Sequence, residues 1–107
     1  MKVVEVETFV VANPPPRHGG RYFIFVKLTT DNGVSGIGEA YAASFNPHLI
    51  AKMIEDTADR FLIGENPFHV ETFWRRSYGV GYTLRPDPTL CGVISSLEMA
   101  CWDLIGK

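Results

Sequence analysis

Arg17, His18 and Arg21, set beside Gly19 and Gly20, put three potential cations on a short flexible stretch. Such a group is suited to gripping a carboxylate through charge-assisted hydrogen bonds. The plain alternative is an exposed loop that is basic by chance. Tyr78, Tyr82 and Arg85 in YGVGYTLRPDP form a second glycine-hinged stretch, able to close over a ligand or simply to join two helices. Gly36, Ile37, Gly38 and Glu39 hint at a glycine-rich loop, but a phosphate cradle needs its glycines between a strand and a helix N-terminus. Here they fall inside a returning strand, where glycines mark a bulge or a close approach by another backbone. Glu39 itself reads as an edge-strand charge or as a buried, paired carboxylate.

The remaining reactive residue types do not converge. His18, His48 and His69 show no HxxxH spacing and the cysteines no CxxC, so the histidines read as surface or capping residues and not as metal ligands. Ser35, Ser44, Ser77, Ser95 and Ser96 sit in no G-x-S-x-G elbow and have no evident base beside them. Asp103 stands near the end of the last helix, where a negative charge is slightly unfavourable. A local hydrogen bond, or a salt bridge to a segment beyond the chain, is the expected use of it. The residues supply no complete active site, and both catalytic and metal-ligating residues are expected to be absent.

The elements that must position these residues are legible. Lys2 to Val11 reads as a strand, with Val4, Val6, Thr8 and Val10 on an apolar face and Val3, Glu5, Glu7 and Phe9 on a mixed one. Pro14, Pro15 and Pro16 followed by Gly19 and Gly20 break regular structure and make a loop. Arg21 to Thr30 and Val34 to Ala40 flank Asp31, Asn32 and Gly33, a hairpin signal. Three helix starts repeat one device, an N-cap acceptor before a proline: Asn46–Pro47, Asn66–Pro67 and Asp87–Pro88.

The first helix stacks Leu49, Ile50, Met53, Ile54, Thr57, Ala58, Phe61 and Leu62 on one side, leaves Lys52, Glu55, Asp56 and Asp59 on the other, and stops at Gly64. The second, about Pro67 to Tyr78, buries Val70, Phe73, Trp74 and Ser77. The third, Pro88 to about Ile105, is apolar around most of its circumference, and its flank bearing Trp102 exceeds what the other elements can cover. The chain is therefore expected to be a fragment, or to have that flank covered by a partner.

Composition bounds the function classes. With 107 residues, 46% of them hydrophobic and 21% charged, the chain suits one globular α+β domain. Ten Lys and Arg against twelve Asp and Glu give a formal charge of -2, without the clustered positive excess that nucleic acid requires. No apolar run approaches the roughly 18 residues of a membrane span, and Glu5 and Glu7 interrupt any signal peptide. Cys91 and Cys101, about 15 Å apart along one helix, cannot pair with each other and suit a reducing, cytoplasmic compartment.

The order of strand, loop, hairpin with DNGVSGIGEA, helix, IGENPF, helix, then GVISSLEMACWDLIGK resembles the N-terminal capping domain of the mandelate racemase and muconate-lactonising group of the enolase superfamily. The likeness runs through essentially the whole chain and rests on Gly33, Gly36, Gly38, Glu39, Gly64, Asn66, Pro67, Ala100, Trp102, Asp103, Gly106 and Lys107.

The resemblance implies an antiparallel three-stranded sheet followed by a three-helix bundle, with a catalytic (β/α) barrel lying outside this chain as its partner. It implies a homo-oligomer, and abstraction of a proton α to a carboxylate to give an enediolate stabilised by Mg²⁺ whose ligands are not in this chain. The cap then supplies closure and specificity through two loops, 13–20 and 41–46. Arg17 and His18 would touch the substrate, and Tyr41 and Phe45 would wall the pocket. A polar, basic first loop is most similar to the acid-sugar dehydratases, such as those acting on galactonate, because a hydroxyl-rich acid needs donors at its far end. The alternatives are the cap of a racemase or cycloisomerase of the same superfamily, and a free-standing α+β interaction module.

Overall fold

A computed structural model describes residues 1–12, 14–16, 22–40, 46–79 and 88–107. Three strands, β1 (Val3–Ala12), β2 (Tyr22–Thr30) and β3 (Ser35–Ala40), form an antiparallel sheet in the order β1-β2-β3. Three helices, α1 (Pro47–Phe61), α2 (Val70–Gly79) and α3 (Pro88–Ile105), cover one face of it.

The hairpin forms where the sequence asks for it. Thr30 donates its backbone N–H to Val34, Gly33 donates to Thr30, and Gly33 takes φ +85°, which a side chain would oppose. Ile24, Val26 and Leu28 alternate inward along β2, opposite Ala40, Gly38 and Gly36 of β3 and Val10, Thr8 and Val6 of β1.

One expectation about β1 fails. Val3 pairs with Thr30 but Glu5 pairs with Thr29, so β1 carries an extra residue at its start. That bulge resets the alternation: Val3 points into the core at 0% exposure, whereas Val4, expected on the buried face, is 53% exposed. From Val6 onward the expected face holds.

Helix α1 begins as read, with the Asn46 side chain accepting from the His48 N–H at 2.9 Å and Pro47 in the first turn. It stops at Leu62, and Gly64 turns the chain away at φ +85°. Its buried stripe is narrower than the apolar spacing implies: Ile50, Ala51, Ile54, Thr57 and Ala58 are inside, but Leu49 and Met53 are exposed. Glu55, expected toward solvent, is half-buried and accepts the Thr8 hydroxyl of β1.

The second helix starts a turn later than expected. Asn66 accepts from the Phe68 N–H and, through its carbonyl, from His69, so Asn66–Pro67 opens a separate turn before α2. Helix α3 spans its expected range and supplies Val93, Ile94, Leu97, Ala100, Cys101 and Leu104 to the core.

Candidate functional site

The sheet has two unlike ends. At the hairpin end its edges are closed. Val3 of β1 donates to the Glu65 carbonyl at 2.9 Å and accepts from the Gly64 N–H at 2.7 Å, so the turn after α1 adds a short parallel bridge there. On the other edge, the Ile37 N–H of β3 donates to Asp103 Oδ2 at 2.9 Å and Lys107 Nζ donates to the Ser35 carbonyl at 2.7 Å. Asp103 and Lys107, one helical turn apart, also pair with each other at 3.3 Å.

Asp103 thus finds its partners within the chain, where the sequence reading had left open a salt bridge to a segment beyond it. The Ile37 N–H chiefly holds its carboxyl below the usual value of 3.8, with desolvation opposing it and Lys107 assisting.

The opposite end roots both candidate loops. Ala12 pairs with Tyr22 and Ile24 pairs with Ala40, so β1 ends, β2 begins and β3 ends at this same end of the sheet. With neighbouring strands about 4.8 Å apart, the roots at Ala12 and Ala40 are separated by roughly 10–12 Å, the span of a small molecule. Arg17, His18, Tyr41 and Phe45 themselves lie outside the described residues, as do Arg21, Tyr82 and Arg85. The structure therefore brings the stems of the two loops together and leaves their side chains undescribed.

Close packing fixes β3, which carries one of these stems, against α3. A Cβ built on Gly36 would stand 2.8 Å from Leu104 Cγ and 2.9 Å from the Leu104 nitrogen, and one on Gly38 would overlap the Ser96 carbonyl oxygen. The glycines are there so that α3 can lie directly on β3, the close-approach reading of the two offered by the sequence. Glu39 is exposed on this edge strand, in keeping with its plainer reading.

Among the described residues, no group of three or more His, Cys, Asp or Glu side chains is placed to hold a metal ion. Cys101 is buried in α3, and burial, with Glu98 adding repulsion, pushes its thiol up to about 12.

On the far flank of α3, Met99 and Trp102 are 48% and 55% exposed, and the Trp102 indole donates to Glu98 at 3.2 Å. No described helix is long and apolar enough to cross a membrane. The four-residue spacing of Asp103 and Lys107 makes their own pair visible in the sequence, but not the contact of Asp103 with Ile37. The Glu55–Thr8 contact left no such trace.

Comparison with known proteins places this geometry in a family. Residues 5–107 match the family described as the mandelate racemase/muconate lactonizing enzyme N-terminal domain. A D-galactonate dehydratase family member from Pseudarthrobacter chlorophenolicus is 31% identical over 107 residues, all of this chain but 24% of the relative. A D-galactonate dehydratase from Ralstonia pickettii is 30% identical over the same length and 25% covered. Among solved structures, a mandelate racemase/muconate lactonizing enzyme from Sulfitobacter sp. superposes with a TM-score of 0.92 at 51% identity, over 99% of this chain and 27% of that one. The chain spans about a quarter of the length of the relatives it matches.

Proposed function

Since the chain belongs to the mandelate racemase/muconate lactonizing enzyme N-terminal domain family, we propose that it is the substrate-capping part of a two-domain sugar-acid dehydratase, acting on galactonate or a close relative. The observation that carries this reading is that β1 ends, β2 begins and β3 ends together at one end of the sheet, in a chain whose relatives include a D-galactonate dehydratase. In this reading two stems so close carry the segments between and after them to one ligand. In this reading Arg17 and His18 donate to the hydroxyls or distal carboxylate of the acid, and Tyr41 and Phe45 wall the pocket and exclude water.

The reaction proposed for the whole protein is loss of water after removal of the proton α to the carboxylate. The acid/base groups and a Mg²⁺ ion belong to a barrel outside this chain. The cap binds and orients; it holds no proton of the reaction. We also propose a cytoplasmic homo-oligomer, the compartment from Cys91 and Cys101 as free thiols and the oligomer from the family likeness.

The test is to supply the enzyme that contains this chain with a panel of aldonic and aldaric acids and Mg²⁺, and to follow keto-acid formation. Turnover of galactonate or a near stereoisomer is expected, and Arg17→Ala with His18→Ala should raise KM for that acid about tenfold or more. No keto acid from any member of the panel would sink the dehydratase reading. A product isomeric with its substrate would favour a racemase or cycloisomerase.

A further inference from the structure

In an antiparallel pair the N–H and C=O of alternate residues point to the same side, so β3, bonded to β2 through Gly36, Gly38 and Ala40, turns the backbone groups of Ser35, Ile37 and Glu39 to its other side. That side is an edge of the sheet. An unfilled edge is a template for pairing with another strand, and the exposed Glu39 is the only charged side chain within β3 to oppose it. SGIGEA carries no proline and no lysine, and its glycines define register weakly.

Two of the groups on this edge are taken by side chains from α3. The Ile37 N–H reaches Asp103 Oδ2 at 2.9 Å, and the Ser35 carbonyl receives Lys107 Nζ at 2.7 Å. One donor and one acceptor, two residues apart on the strand, are met by one acceptor and one donor, four residues apart on the helix. An incoming strand would present the same pair of groups.

We propose that Asp103 and Lys107 act as an edge guard, occupying in advance two of the backbone groups through which a second copy of this chain would add its own β3. The occupant is a second copy because the edge is self-complementary: two β3 strands related by a two-fold axis run antiparallel and exchange N–H and C=O groups reciprocally. The ion pair is exposed and so contributes little to the stability of the fold. Its effect is on which partners the edge can take.

Hydrogen exchange at the Ile37 amide, read by NMR on the 107-residue chain over a range of concentrations, tests this together with sedimentation. In the unaltered chain the amide should exchange slowly at every concentration. In Asp103→Ala/Lys107→Ala it should exchange about tenfold faster or more when dilute, and slow again as concentration rises and β3 edges pair. Asp103→Asn with Lys107 kept retains an acceptor for Ile37 and should behave as the unaltered chain.

Adding Ile37→Pro to the double variant removes the donor itself and should abolish the new association. The proposal is overturned if the amide stays slow in the dilute double variant, or stays fast at all concentrations. Association that survives Ile37→Pro, or loss of the folded state in the double variant, overturns it equally. The first would place the contact elsewhere, and the second would make the pair a structural strut.

Discussion

Gly38 of β3 lies so close beneath the Ser96 carbonyl of α3 that a methyl group on its Cα would overlap that oxygen. The obstruction is backbone, which cannot swing aside as the end of a flexible side chain can. Gly38→Ala should therefore cost about 3 kcal/mol or more, at or above the upper end of ordinary overpacking, by forcing α3 off the sheet. Gly33, with φ +85° and open space around its Cα, should lose only about 1 kcal/mol on the same change. Denaturant midpoints of the two variants measure the difference, and equal losses would contradict the packing.

The bulge at the start of β1 predicts opposite outcomes for neighbouring valines. Val3→Ala removes two buried methyl groups and should destabilise by about 2 kcal/mol, whereas Val4→Ala should fall within about 0.5 kcal/mol of the unaltered chain. Strict alternation without a bulge would reverse the order, so a pair of unfolding curves decides the register.

The Asp103 carboxyl is held below its usual value of 3.8 by the Ile37 N–H and by Lys107. A group whose folded value is depressed contributes stability that is fully present above its unfolded value and is lost as pH falls through the folded one. The loss on acidification from about pH 5 downward should therefore be smaller in Asp103→Asn than in the unaltered chain. Asp31, lowered chiefly by the Lys2 backbone N–H, adds a second contribution of the same sign that the substitution leaves in place. Urea unfolding at a series of pH values measures both.

Cys101 should ignore thiol reagents until the chain unfolds. Its thiol is buried and pushed up to about 12, so almost none is ionised at neutral pH, and the thiolate is the reactive form. Cys91 is only half-buried and should label first. Mass spectrometry after brief alkylation should find one modified site, and rapid labelling of both would contradict the burial of Cys101.

Trp102 reports whether a barrel covers α3. At 55% exposure its fluorescence in the 107-residue chain should be open to acrylamide, while Trp74, half-buried and 5.9 Å from Tyr78 between ring centroids, should be shielded more. In the longer protein, on the proposed reading, quenching of Trp102 should drop about fivefold or more as Met99 and Trp102 leave water. A Trp74→Phe background isolates the signal, and unchanged quenching would remove this flank from the domain contact.

Much of this molecule could be written down from residue order alone, because periodicity and capping are local. The hairpin at Asp31–Gly33, the start of α1 at Asn46–Pro47 and the range of α3 need only neighbours within a few residues of chain. The family, too, was readable from the order of modest motifs through 5–107. Long-range contact was not readable.

Whether Val3 or Val4 faces the core depends on how β1 meets β2, and whether Leu49 is covered depends on how far the sheet extends beneath α1. What Asp103 binds depends on a strand 66 residues earlier arriving beside its helix. Gly36 and Gly38 stand between the two cases. Their presence in a strand announces that something approaches, and only the folded chain identifies it as the backbone of α3. The physical reason is common to all of these: a local pattern sets which way a side chain leaves its own backbone, and tertiary packing alone decides what stands in that direction.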